Sequence, residues 1–166
     1  MSNEISPSQP YSTSEQKPGK RRGVFASPMA LIRASSIFFV LIMIGHISAY
    51  PWSSSQAPRE RQLVGAMKST DFIFAGEHSS YWNLYLGWGV WLAVLLLTFA
   101  IILWILSGIA RLAPRPVGMI SGVLSTTCLI GAYISFLYFY TPPSVMLLVM
   151  FVMLLTAALQ LLRRAS

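Results

Sequence analysis

The side chains able to do chemistry gather in GEHSSYWNLYLGWGVW, Gly76 to Trp91, with one outlier at His46. Glu77, His78, Ser80 and Asn83 supply a carboxylate, an imidazole, a hydroxyl and an amide. Such groups can move protons, ligate a metal or hold a polar headgroup. Tyr81, Tyr85 and Trp88 follow at i, i+4 and i+7, one face of a helix. Two readings of these aromatics compete: anchors in the aromatic belt of a membrane, or the wall of a small amphipathic cavity. A cavity would suit a lipid, quinone or isoprenoid headgroup. His46 is expected to face inward, with its imidazole bonded to Asn83, Ser80 or Glu77.

Harder chemistry finds little support. Neither HxxxH nor HExxH spacing occurs, and His46 would reach any zinc ion from a different segment than His78 and Glu77. Nothing sets the two histidines at one depth, as a haem would require. No metal and no cofactor are expected. Cys128 has no histidine near it in sequence and reads as a small packing residue. There is no phosphate-binding glycine loop, no charged ring and no filter-like segment.

The elements that must position these residues are membrane spans. Only 10% of the 166 residues are charged and 55% are apolar, against roughly 25% charged in a soluble domain. Mean hydropathy is +0.62. Lys, Arg, Asp and Glu are absent from Ala34–Ser55, His78–Ala110 and Pro116–Leu162, and each stretch is long enough to cross a bilayer or nearly so. The net charge of +7 flanks these stretches rather than forming a module, so membrane topology accounts for it and nucleic acid is not expected.

Read in order, residues 1–27 form a disordered, basic, cytoplasmic tail. Residues 28–166 form an all-α membrane domain of four spans, near 29–50, 82–110, 117–140 and 143–162. Arg33 snorkels at the basic end of the first span, and Tyr50, Pro51 and Trp52 mark its other end. A short amphipathic helix is expected near 58–68 in the outer loop, with Leu63, Val64 and Met67 on one side. Phe72, Ile73 and Phe74 then make an apolar run that docks into the bundle or dips among headgroups, and Gly76 allows a turn. Thr141 can cap the last helix, with Pro142 in its first position. All the basic residues except Arg59, Arg61 and Lys68 fall on one side, which places both termini in the cytoplasm of a cell with the domain in its inner membrane.

Helices in lipid associate through small residues. The third span carries Gly118, Gly122 and Thr126 in one row and Thr127, Gly131 and Ser135 in another, so it should be the most buried. Gly89 and Ala93 would let the second span approach the first near Gly45. The hydroxyls of Ser107, Thr126 and Thr127 are expected to bond carbonyls of their own helices. The fourth span, bulky from Val145 to Leu155, is expected at the periphery, against lipid.

Gly45–His46, then Phe72 and Gly76, then Ser79, Trp82, Tyr85, Gly87 and Gly89 form a pattern. In this pattern the chain resembles a family of small bacterial four-helix integral membrane proteins. That family has a Gly-His pair in helix one and Ser-x-x-Trp-x-x-Tyr-x-Gly-x-Gly at the start of helix two. The resemblance implies a bundle in the cytoplasmic membrane and no particular activity. Asn83 stands where an acidic residue is common in that family, which weakens a proton or metal role.

The leading functional expectation is a non-enzymatic membrane protein whose outer polar–aromatic pocket takes a small amphiphile or a partner helix. The alternatives are a membrane enzyme or redox subunit using His46 with His78 or Glu77, and a subunit of a small oligomeric transporter. Membrane lipid is the expected partner; a second copy or another membrane protein stays open.

Overall fold

A computed structural model describes residues 27–49, 57–139 and 141–166. The expectations for the amino-terminal tail, and those resting on Tyr50, Pro51 and Trp52, lie outside them. The element order is α1 (Pro28–Ala49), α2 (Pro58–Ser69), β1 (Asp71–Phe74), β2 (Glu77–Ser80), α3 (Tyr81–Ile109), α4 (Pro114–Tyr138) and α5 (Thr141–Ala165). Four of the helices, α1, α3, α4 and α5, are long and apolar enough to cross a membrane. Helix α1 has 22 residues and α3 has 29, so at 1.5 Å per residue they span about 33 and about 43 Å, against a hydrocarbon core of about 30 Å. The chain is an integral membrane protein built as a bundle of four spans, with one shorter helix between the first two.

Local sequence accounts for the boundaries. Ser27 accepts from Ala30 N–H at 3.2 Å and caps α1. Pro58 and Pro114 sit in the first turns of α2 and α4, where an amide hydrogen is not needed. For that reason α4 begins at Pro114 rather than near 117: the Pro114–Arg115–Pro116 segment is its first turn, not a separate loop. Similarly, Thr141 is already the first residue of α5 rather than a cap outside it.

The helices are neighbours in the order α3–α1–α5–α4. Helices α3 and α4, although consecutive in sequence, barely meet, and that edge of the bundle is loose. Helix α5 therefore lies between α1 and α4, not at the periphery. The reason is complementarity of size. A Cβ built on Gly118 would lie 3.2 Å from Leu161 Cβ and 3.0 Å from Leu162 Cγ. One on Gly122 would lie 3.9 Å from Ala158 Cβ, and one on Gly131 would lie 3.5 Å from Leu147 Cδ1. The small residues of α4 seat one face of α5, through Leu147, Ala158, Leu161 and Leu162, while Val145, Leu148, Val149 and Val152 on its other faces are exposed. Burial on α4 is likewise one-sided: Ser121, Ser125, Cys128 and Ala132 are buried, while Val123, Tyr133 and Phe136 are exposed.

The core runs through Ile32 and Phe39 of α1, Leu96, Leu103 and Leu106 of α3, Leu124 and Cys128 of α4, and Met150, Leu154 and Leu161 of α5. Phe39 and Phe99 pack with ring centroids 5.6 Å apart. Hydroxyls donate across helices: Ser36 to Ala100 O at 2.7 Å and Ser125 to Phe151 O at 3.2 Å. Such bonds are worth on average about 0.6 kcal/mol within a bilayer. Thr126, Thr127 and Ser107 donate within their own helices, to Gly122 O, Val123 O and Trp104 O.

The segment Phe72–Phe74 is neither loop nor docked run. It belongs to a hairpin in which Asp71 pairs with Ser80, Phe72 with Ser79, Ile73 with His78 and Phe74 with Glu77. The turn residues Ala75 and Gly76 have φ of 53° and 88°, the positive values that a two-residue type I′ turn requires. Tyr81 N–H reaches Thr70 O at 3.4 Å, and Ser80 Oγ accepts from Asn83 N–H at 3.2 Å to cap α3. The hairpin thus runs straight into a span.

Candidate functional site

The candidate residues fall into two recesses rather than one. The first lies where the end of α1, the start of α3 and the end of α4 approach one another, and it has a volume of about 520 Å³. His46 and Ala49 line it from α1, Tyr85, Trp88, Gly89, Trp91, Leu92 and Leu95 from α3, and Phe139 from beyond α4. It occupies the hairpin end of the loose α3–α4 edge, which explains why there is room for it. Its wall is mostly carbon, with the imidazole of His46 and the phenol of Tyr85 as its polar side chains.

His46 Nε2 lies 2.9 Å from Gly89 O, a bond between spans. A carbonyl oxygen can only accept, so Nε2 carries the proton. Gly89 is buried and so is Ala93 one turn on. The partner expected from sequence was Asn83, Ser80 or Glu77, and the carbonyl takes that place because Gly89 brings bare backbone to the α1 face. Gly45, by contrast, faces open space: a Cβ there would meet nothing within 4 Å.

The second recess, about 400 Å³, lies at the hairpin and is lined by Lys68, Asp71, His78, Ser79, Ser80, Trp82 and Asn83. Lys68 Nζ sits 4.8 Å from the Trp82 ring centroid, a cation–π contact. Tyr81 packs against Phe72 with ring centroids 5.1 Å apart and planes tilted by 45°. Glu77 sits beside the hairpin turn, exposed, opposite Phe74. A shallower groove of about 400 Å³, lined by Ser79, Asn83, Leu84, Gly87, Trp88 and Trp91, runs between the two.

Structure therefore brings His46, Tyr85 and Trp88 together, and His78, Ser80 and Asn83 together, but places the two sets in separate recesses. Sequence reasoning did not single out Ala49, Leu92, Leu95 and Phe139. Phe139 has no signal in the chain, because only the packing of α4 on α5 carries it there. Lys68, at the end of α2, and Asp71, at the start of β1, join this recess because the hairpin folds the chain back on the start of α3; the Ala75–Gly76 pair is the signal for that hairpin. Among the described residues no three His, Cys, Asp or Glu side chains converge as a metal site would require.

These observations define an integral membrane protein with four transmembrane helices and a polar–aromatic region at one end. Comparison of the chain with family models, with curated proteins and with solved structures gives no match.

Proposed function

We propose that this protein is a non-enzymatic membrane protein that holds the apolar part of a small amphiphile in the recess beside His46. The observation that carries the reading is the recess itself. About 520 Å³ falls within the range of ligand pockets, roughly 300–1,000 Å³. Its wall is aromatic and aliphatic, it lies on the loose edge of the bundle, and His46 in it is held by a bond to the neighbouring span. His46 spends Nε2 on Gly89 O, which favours an orienting role over proton transfer. Separation of His46 from His78 and Glu77 weighs against the three acting as one catalytic set. The positive charge at the opposite end supports, by the positive-inside rule, a recess in the outer leaflet with both termini cytoplasmic. Kinship with the small bacterial four-span proteins that the Gly45–His46 and Ser79–Gly89 pattern resembles is part of this proposal.

Native mass spectrometry after gentle detergent release tests it. Wild-type protein should retain a lipid, quinone or isoprenoid. Leu95→Trp should fill the recess and abolish retention, whereas Asn83→Ala, outside the recess, should leave it unchanged. Equal retention by wild type and by folded Leu95→Trp would remove the proposal.

A further inference from the structure

Arg33 lies at the other end of the bundle, five residues into α1 and thus about 7.5 Å below its first residue. It does not simply extend toward water. Its Nε donates to Ser107 Oγ on α3 at 3.1 Å. Ser107 is 2% exposed and donates in turn to Trp104 O at 2.6 Å. The guanidinium carbon sits 5.5 Å from the Trp104 ring centroid. One edge and one face of the guanidinium are thereby fixed, although the residue as a whole is exposed. Among the described residues no hydrogen-bond acceptor engages its two terminal nitrogens.

Among the described residues the charge also has no carboxylate side chain near it. The described carboxylates Glu60, Asp71 and Glu77 all sit on the segment joining the far ends of α1 and α3. Arg111, Arg115, Arg163 and Arg164 crowd the same end as Arg33 and raise its positive potential. Beside the site, exposed apolar rows run toward the membrane centre: Ile37 and Leu41 follow Arg33 on α1, and Ile101 and Leu97 precede Trp104 on α3. A guanidinium held in one orientation offers a phosphodiester two parallel bonds. The apolar rows offer a surface for the chains attached to it.

We propose that Arg33, Ser107 and Trp104 form a headgroup site for an anionic glycerophospholipid. The phosphodiester bonds the two terminal nitrogens of Arg33, and the acyl chains lie along α1 and α3. Ser107 and Trp104 are positioning residues for the guanidinium. This site is independent of the His46 recess, which lies at the opposite end.

The test measures retention of phosphatidylglycerol against phosphatidylcholine by the full-length protein in mixed nanodiscs, read by native mass spectrometry, with helical content checked by circular dichroism. Arg33→Gln should lower the preference for phosphatidylglycerol about tenfold, the worth of one charge-assisted interaction. Arg33→Lys keeps the charge but loses the fork and should lower it about threefold, as should Ser107→Ala. Arg164→Gln removes the same charge outside the site and should change it less than about twofold. The proposal is overturned if Arg33→Gln matches Arg164→Gln, or if Arg33→Lys matches wild type, since the field alone would then suffice. It is also overturned if inorganic phosphate displaces the lipid, which would indicate a free-anion site. A rise of about tenfold in Glu4→Gln/Glu15→Gln would identify tail carboxylates as the occupants and overturn it too.

Discussion

Replacing Gly118 and Gly122 by Ala, separately, tests the seam between α4 and α5 more sharply than deleting any large side chain. Ala is favoured over Gly in a helix interior by about 1 kcal/mol, and both sites should gain this alike. Their surroundings differ. At Gly122 the new methyl would rest 3.9 Å from Ala158 Cβ, an ordinary contact, so Gly122→Ala should stabilise by about 1 kcal/mol. At Gly118 it would stand 3.0 and 3.2 Å from Leu162 Cγ and Cδ2, and 3.2 Å from Leu161 Cβ. Carbon atoms prefer about 3.5–4.0 Å. Leu162 can turn aside, but Leu161 Cβ is fixed to the backbone of a buried residue and yields only if α5 shifts. Overpacking of this kind costs about 1–3 kcal/mol, so Gly118→Ala should be net destabilising by about 1 kcal/mol. The two variants should differ by about 2 kcal/mol in reversible unfolding by SDS in mixed micelles. Gly45→Ala, where nothing lies within 4 Å, serves as the unpacked control. Equal stability of Gly118→Ala and Gly122→Ala, or the reverse order, would refute the seating of α5 on the small face of α4.

Three further outcomes follow from single contacts. Ala75 carries a positive φ of 53°, so Ala75→Gly should relieve about 1 kcal/mol and slow amide exchange in the hairpin, whereas faster exchange would argue against the turn. Ser121 is wholly buried and its hydroxyl has no partner among the described residues; Ser121→Ala should stabilise by about 1 kcal/mol, and a loss in the same micelle assay would mean the hydroxyl is bonded. Ser36→Ala removes the donor to Ala100 O and should cost about 0.6–1.7 kcal/mol, with no change pointing to a bond without weight in lipid.

The spans were legible because a bilayer imposes a demand that composition reveals directly: charge is absent from three long stretches, and the chain crosses within them. Own-helix bonding of Ser107, Thr126 and Thr127 was legible for the same reason, since each hydroxyl has a carbonyl within its own helix. Relations between helices were not. The row from Val145 to Leu155 looks lipid-facing in isolation, and Val145, Leu148, Val149 and Val152 are exposed; only the packing against α1 and α4 shows that Met150 and Leu154 in the same row are buried. The bond from His46 goes to a main-chain carbonyl, and every residue carries one, so no residue type could announce it. The hairpin was obscured by length: strands of four residues leave only two cycles of alternation to detect. Arg33 was recognised as a charge at a helix end, but its tie to Ser107 spans 74 positions in the chain.

The number and direction of the crossings underlie every placement above, including the His46 recess at one end and Arg33 at the other. Cysteine accessibility in intact cells measures this most directly. In a Cys128→Ala background, single cysteines at Ser2, Glu60 and Ser166 would be exposed to a membrane-impermeant maleimide. Four crossings, with the proposed cytoplasmic placement of both termini, predict labelling at Glu60→Cys alone before lysis, and at Ser2→Cys and Ser166→Cys only after it. Labelling of Glu60→Cys and Ser166→Cys from the same side would contradict the account.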